Sequence, residues 1–322
     1  MRGSSPRSRI LRLLLAAFVV LLGANGCADP GYDRTQQYFV AGGGIAGIYF
    51  NYGDQYAKAL HRELGINVSV SETNGSVDNL QRVASGRALL GFAQADTAAD
   101  AITGTGSFDA PLPLRAVARV YDESVQVVVP ADSDVRRISD LAGRPVSLGS
   151  PTSGVQVIAN RVLAASGVAP ERIENPALGL DESIAALHRG EIAAFFWVGG
   201  FPTPSIERLA RSERIRLLPI DAATVSRVNA QHSGVYRLAE LPIGGYGSEA
   251  PTTTMTVPNY LVAAEDASDA LILDATRVLF SSRSTIARKV PAAELLDRRE
   301  AIFTAPLDLH PGAAEFYVDA RR

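Results

Sequence analysis

Between Gly42 and Asp96 the chain alternates strand-like and helix-like runs, and each strand-like run ends on small or polar residues. YFVA leads into the glycine turn Gly42–Gly47 and a helix to about Leu64. INVSVSE leads into the polar turn TNGS and a second helix. A third strand ends in Gln94-Ala95-Asp96. Alternation of this kind predicts a mainly parallel α/β sheet. In such a sheet the turns after the strands face one crevice, where ligands bind.

The chain opens on an export signal. Met1 to Arg12 carries Arg2, Arg7, Arg9 and Arg12 and no acidic residue, and Leu13–Leu22 is a continuous apolar run, LLLAAFVVLL. A basic start, about ten apolar residues and small residues at the cut make a secretory signal, assigned to residues 1–27. The run is too short to span a bilayer, which takes about 20 apolar residues. Cys27 is the only cysteine, so no intrachain disulfide forms. Lipidation at Cys27 would anchor the protein to the outer face of the cytoplasmic membrane, whereas cleavage after Ala28 would release it into the periplasm. A crevice-forming α/β protein outside the cytoplasm suggests binding before catalysis.

The same plan repeats. RPVSLG leads into Ser150-Pro151-Thr152-Ser153-Gly154 and the helix VQVIANRVLAAS, stopped by Gly167. LQRVASGRALLGFAQAD (Leu80–Asp96) is echoed by IAALHRGEIAAFFWVGG (Ile184–Gly200), with Gly86 and Gly190 at helix ends that suit a left-handed residue. Two lobes follow: residues 36–122 plus 250–322, and residues 125–243. The last third, with a strand interrupted by Pro258 and helices near Ser268–Phe280 and Ala292–Arg299, holds too little for its own core and is expected to pack on the first lobe. The chain then crosses between lobes near Asp122–Val129 and Gly244–Thr256, which makes a hinge.

Two helix N-termini, after Gly47 and after Ser153, are expected to face the crevice. Each offers free N–H groups and a partial positive charge to an anion. Thr73, Asn74, Ser76, Gln94, Thr152 and Ser153 add polar partners, Tyr49 and Trp197 add walls with a polar edge, and Asp96 is placed to receive a cation. Caps and tight turns use the same residue types for purely structural ends, but five such turns in two lobes of one plan favour a site. The expected solute is a small carboxylate or amino acid.

Several classes are disfavoured. With 31 basic and 34 acidic residues, the chain lacks the basic excess of a nucleic-acid binder. Gly42, Gly44 and Gly47 spell a dinucleotide fingerprint, yet Glu72 lies too far along for the ribose-binding acid. No nucleophile elbow, Walker lysine, C-x-x-C or H-E-x-x-H motif is present, and His61, His188, His232 and His310 are scattered. Asp132 and Asp134 lack the rest of a calcium loop. No catalytic residue, metal site or cofactor is expected, nor any oligomer beyond the monomer.

In this order and spacing the motifs resemble the TAXI family, the extracytoplasmic solute-binding proteins of tripartite ATP-independent periplasmic (TRAP) transporters. They are GGGIAGIYFNYG, ETNGSVDNLQRVASGRALLGFAQAD, the Tyr121-Asp122-Glu123 turn, DLAGRPVSLGSPTSG, GEIAAFFWVGGFPTPSIERLA, Leu241–Tyr246 and PLDLHPGAAEFY. The resemblance implies a two-lobed periplasmic-binding-protein fold, type II-like, that delivers a solute to TRAP membrane subunits. It also implies pocket roles for Gly47, Tyr49, Thr73–Ser76, Gln94, Ser150–Gly154 and the Gly199–Pro204 loop with Gly200 and Pro202. Ile48, Phe50 and Asn51 depart from the family's Gly-Gly-Thr-Tyr-Tyr-Pro, which removes two hydroxyls near the ligand. A periplasmic sensor with the same fold, or an exported α/β enzyme, are the alternatives; a nucleophile–base pair in the cleft would mark the enzyme.

Overall fold

The computed structural model describes residues 31–319. Residues 1–32 and 33–322 form separate units, and every element below belongs to the second. The export signal and Cys27 lie outside the described residues.

One nine-stranded mixed sheet runs through the unit in the order β2-β1-β3-β9-β4-β6-β5, with β7 on β4 and β8 on β9. Strands β1 (Gln37–Ala41), β2 (Asn67–Ser71) and β3 (Leu90–Gln94) pair in parallel. So do β5 (Val146–Ser147) and β6 (Ala194–Gly199). Strand β3 is buried at every position, as expected where helices cover both faces of a sheet. Helix α1 (Ile48–Leu64) buries Tyr49, Tyr52, Tyr56 and Leu60, the three- and four-residue spacing of one helical face. Helices α2 (Ser76–Ala84), α3 (Ala95–Thr103), α4 (Gly154–Ala165) and α5 (Leu180–His188) follow the other turns. Gly86 and Gly190 stand at φ 71° and 69°, the left-handed backbone that ends a helix with least strain in glycine.

Two long strands join the parallel sets. Strand β4 (Leu114–Pro130) pairs antiparallel with β9 (Thr252–Ala264) as far as Ser124, then with β6 from Ser124 to Val128 and with β7 (Ile215–Leu217). Strand β9 pairs on its other side with β8 (Arg237–Leu241) up to Thr256 and with β3 from Asn259. Pro258 does not break β9. It falls in the gap between those two partners, where a missing N–H costs the ladder least. The Tyr121-Asp122-Glu123 segment, expected as a turn, is interior to β4.

The C-terminal residues pack onto the first strand set. Tyr56 Oη donates to Ala275 O at 2.7 Å from α1 to α6 (Asp269–Ser281), and Tyr317 Oη donates to Val117 O at 3.0 Å. The helix expected at 292–299 is a short 3-10 turn, Pro291–Leu295, because Pro291 opens it and residues 297–302 turn away. The terminal helix, Pro311–Asp319, was not foreseen.

Candidate functional site

A cavity of about 900 Å³ opens at the carboxyl ends of β1, β3 and β6. Its wall is built from Gly42–Tyr49, Glu72–Ser76, Gln94 and Glu123 on one side. On the other stand Gly149, Ser150, Ser153–Val155, Leu178–Glu182, Phe196–Val198 and Arg208. Helix starts converge here. Helix α1 begins after Gly47 and α2 after Gly75, and no side chain caps either one. Their first N–H groups therefore lack the partner that Ser, Thr, Asp or Asn would supply. The start of α4 is capped by Ser153, whose hydroxyl accepts from Gln156 N at 3.1 Å.

The two sides meet closely. Gly75 stands at φ 117°, open only to glycine, and a Cβ there would lie 3.5 Å from Ser153. Asp78 N donates to Thr152 O at 3.3 Å, with Thr152 itself left-handed at φ 58°. A Cβ on Gly154 would collide with Gln94 Oε1 and lie 2.7 Å from Ser76 Oγ. A Cβ on Gly200 would fall 2.6 Å from Ile48 Cδ1. The substituted Ile48 thus occupies space that only a glycine opposite it leaves free.

Buried hydrogen bonds fix the floor. Thr73 Oγ1 accepts from Gly43 N at 2.8 Å and donates to Asn79 Oδ1, whose amide donates to Phe92 O at 2.7 Å. Ser76 Oγ accepts from Gln94 N at 3.2 Å. Gln94 Nε2 donates to Glu123 Oε2 at 3.2 Å, and Tyr121 Oη donates to Glu123 Oε1 at 3.1 Å. Tyr49 Oη donates to Asn259 Oδ1. Burial pushes the Glu123 carboxyl up to about 7, against the opposing pull of hydrogen bonds from Gln94, Tyr121 and Asn259. Burial also holds Tyr49 well above the ordinary phenol range, so it stays a neutral donor.

Residues 40–320 match the sequence model of the NMT1-like family. The chain belongs to the NMT1-like family. The structure of this NMT1-like protein is similar to one from Bordetella bronchiseptica, at 18% identity and a TM-score of 0.52, covering 89% of each chain. It is similar to a putative L-cystine ABC transporter from Listeria monocytogenes, at 13% identity and a TM-score of 0.52, over 82% of this chain and 99% of that one. The arginine-, lysine-, histidine-binding protein ArtJ from Geobacillus stearothermophilus matches at 12% identity and a TM-score of 0.50, over 79% and 95%. These likenesses establish the fold: the NMT1-like chain has the α/β periplasmic-binding-protein fold.

Ten of the residues singled out in the sequence line the cavity of this NMT1-like protein: Gly47, Tyr49, Thr73, Asn74, Ser76, Gln94, Ser150, Ser153, Gly154 and Trp197. Four do not. Gly200 backs Ile48, and Pro202 is exposed beside it. Thr152 lines a separate cavity of about 770 Å³ together with Asp100, Arg161 and His232.

Asp96 is the substantive correction. It is fully buried, paired with Arg161 at 2.8 Å, and accepts from Tyr236 Oη at 2.6 Å. Because α3 starts at Ala95, directly after β3, Asp96 faces the second set of helices and not the cavity.

Four acids line the cavity, Glu72, Glu123, Asp181 and Glu182; Glu123 is the buried one, and sequence reasoning passed over it. Its signal was the acidic pair Asp122-Glu123 next to the apolar strand residues Val125–Val129 of VYDESVQVVVP. Arg208, also unforeseen, is the only cationic side chain of the lining. Among the described residues no His/Cys/Asp/Glu cluster could hold a metal, and no helix is long and apolar enough to cross a membrane.

Proposed function

We propose that this protein is an extracytoplasmic solute receptor that captures a small organic anion or amino acid in the 900 Å³ cavity and hands it to a membrane transporter. The carrying observation is the pair of helix starts without side-chain caps, α1 and α2, opening into a cavity with a polar floor. Such starts favour anions by about 0.3–1 kcal/mol each when exposed, and by up to about 2 when partly buried.

In this proposal residues 36–122 plus 250–322 form one lobe and 125–243 the other, with β4 and β9 as the hinge strands. In this reading the closed form is the one in which Gly75 and Ser153 meet across the cavity. The resemblance to the TAXI proteins supports a TRAP-type, ion-coupled transporter as the recipient. Reconstituted uptake driven by an ion gradient without ATP separates that recipient from an ATP-driven one. The N-terminal sequence supports export, with Cys27 as lipid anchor; intact mass of the native protein tests it.

Solute binding is tested by native mass spectrometry of the purified chain, followed by X-ray scattering with and without the solute so identified. The expected result is a smaller radius of gyration and a higher melting temperature with solute. No bound small molecule, and no change on adding candidate solutes, would overturn the proposal.

A further inference from the structure

Two buried acceptors in the cavity lack a cationic donor. Gln94 is 2% exposed, and its Oε1 has no hydrogen-bond partner among the described residues. An unsatisfied buried carbonyl oxygen is costly; this one is covered by Gly154 and belongs to a side chain of the cavity wall. Glu123 lies beside it, 4% exposed, with Gln94 Nε2 on one oxygen and Tyr121 Oη on the other. A carboxylate has about four acceptor sites, and no Arg or Lys is ion-paired with Glu123 among the described residues.

The groups facing Glu123 are known from each packed element. They are Gln94 at the end of β3, Tyr121 on its own strand, Tyr49 from α1, Asn259 from β9 and Asp96 from α3. The Tyr and Asn groups are neutral. Asp96 adds like charge, and Arg161 is ion-paired with Asp96.

The anion-favouring groups are close by. Gln94 N donates to Ser76 Oγ at the start of α2, and Tyr49, in the first turn of α1, faces Glu123. Gln94 therefore links the start of α2 to Glu123. The cavity offers N–H donors and acceptors one small group apart.

We propose that the solute is an α-amino acid bound as its zwitterion, with the carboxylate at the starts of α1 and α2 and the ammonium received by Glu123 beside Gln94. The inference rests on the solute-binding function above. Glu123 becomes the group that separates an amino acid from the hydroxy or oxo acid of the same skeleton.

It also couples binding to protons. Burial pushes the Glu123 carboxyl up to about 7. An ammonium beside it favours the charged form and lowers that value. Binding near neutral pH then releases a proton, and affinity is full above pH 7 and lost as pH falls below it.

The test uses the full chain after exhaustive dialysis, with the common L-amino acids and their 2-oxo acid counterparts as probes. Melting curves are taken at about pH 8 and about pH 5.5, on either side of the Glu123 transition. At least one amino acid should raise the melting temperature at the higher pH while its oxo acid does not. Titration calorimetry of that amino acid should show affinity falling by up to about tenfold per pH unit below 7, with heats that vary with the buffer as one proton is released. Glu123→Gln should weaken binding by about tenfold or more at the higher pH and remove the pH dependence.

Equal binding of the oxo acid, affinity that is flat or rises on acidification, or no response to any amino acid overturns the inference. If a solute without an amine closes the protein in the scattering experiment, this inference fails and the receptor function stands. If no solute closes it, the receptor function fails as well.

Discussion

Glu123 shows how one residue can set both the charge of the cavity and the pH profile of the empty protein. Its carboxyl titrates at about 7 in the fold against an ordinary value of 4.5, chiefly through burial. The sign follows directly. A carboxyl raised in the folded state binds its proton more tightly there than in the unfolded chain. Stability is therefore fullest below pH 4.5 and declines as pH rises to about 7, by an amount on the order of 3 kcal/mol at about 1.4 kcal/mol per unit. Glu123→Gln should flatten that segment of the profile in urea titrations without ligand, and should be more stable than wild type at pH 8. A wild-type profile already flat between pH 4.5 and 8 would contradict this. The sequence could not rank Glu123 over Asp96, since both are acids bordering apolar strand runs. The choice is made by Arg161, 65 residues beyond Asp96 in the chain, which takes Asp96 out of the cavity and leaves Glu123 in it. A pairing over that separation leaves no local mark.

At the scale of elements, what was legible in the chain is what local chemistry determines. Glycine and Ser/Thr turns, left-handed glycines at helix ends and apolar strand runs located β1–β3, α1, α2 and α4 and ten lining residues. The errors lie where neighbours decide. Pro258 and the Tyr121–Glu123 segment look like breaks, yet β4 and β9 run straight through them because each has a partner strand on the side that matters. Gly154 carries the same lesson in a testable form. As the first residue of α4 it would gain helix propensity from a methyl group. That methyl would nevertheless collide with Gln94 Oε1 and crowd Ser76 Oγ at 2.7 Å, both on the opposite wall. Gly154→Ala should therefore keep the helical circular dichroism of wild type while weakening solute binding by about tenfold or more, the cost of overpacking being typically 1–3 kcal/mol. Unchanged affinity would mean that the two walls do not need to meet this closely.

At the scale of the whole molecule, one link between the helices of the two strand sets is ionic and buried. Arg161 on α4 pairs with Asp96 at 2.8 Å and with Asp100, both on α3, and donates to Tyr236 Oη at 3.0 Å. The Arg161 side chain is 7% exposed and that of Asp96 fully buried. Bringing these charges together out of water gains little net stability, but leaving one of them alone is expensive, about 3–5 kcal/mol. In the receptor reading proposed above, the cluster is a latch: intact when α3 and α4 touch, and rehydrated when they part. Arg161→Met should strand two carboxylates. The expected outcome is a loss of about 3–5 kcal/mol in urea unfolding and, in X-ray scattering of the solute-free protein, a larger radius of gyration as the helices separate to hydrate Asp96 and Asp100. The triple change Asp96→Asn, Asp100→Asn, Arg161→Met removes every charge of the latch and should recover most of the stability without restoring pairing. If Arg161→Met lowers stability but leaves the radius of gyration unchanged, the cluster is a static core element and the hinge lies elsewhere than between α3 and α4.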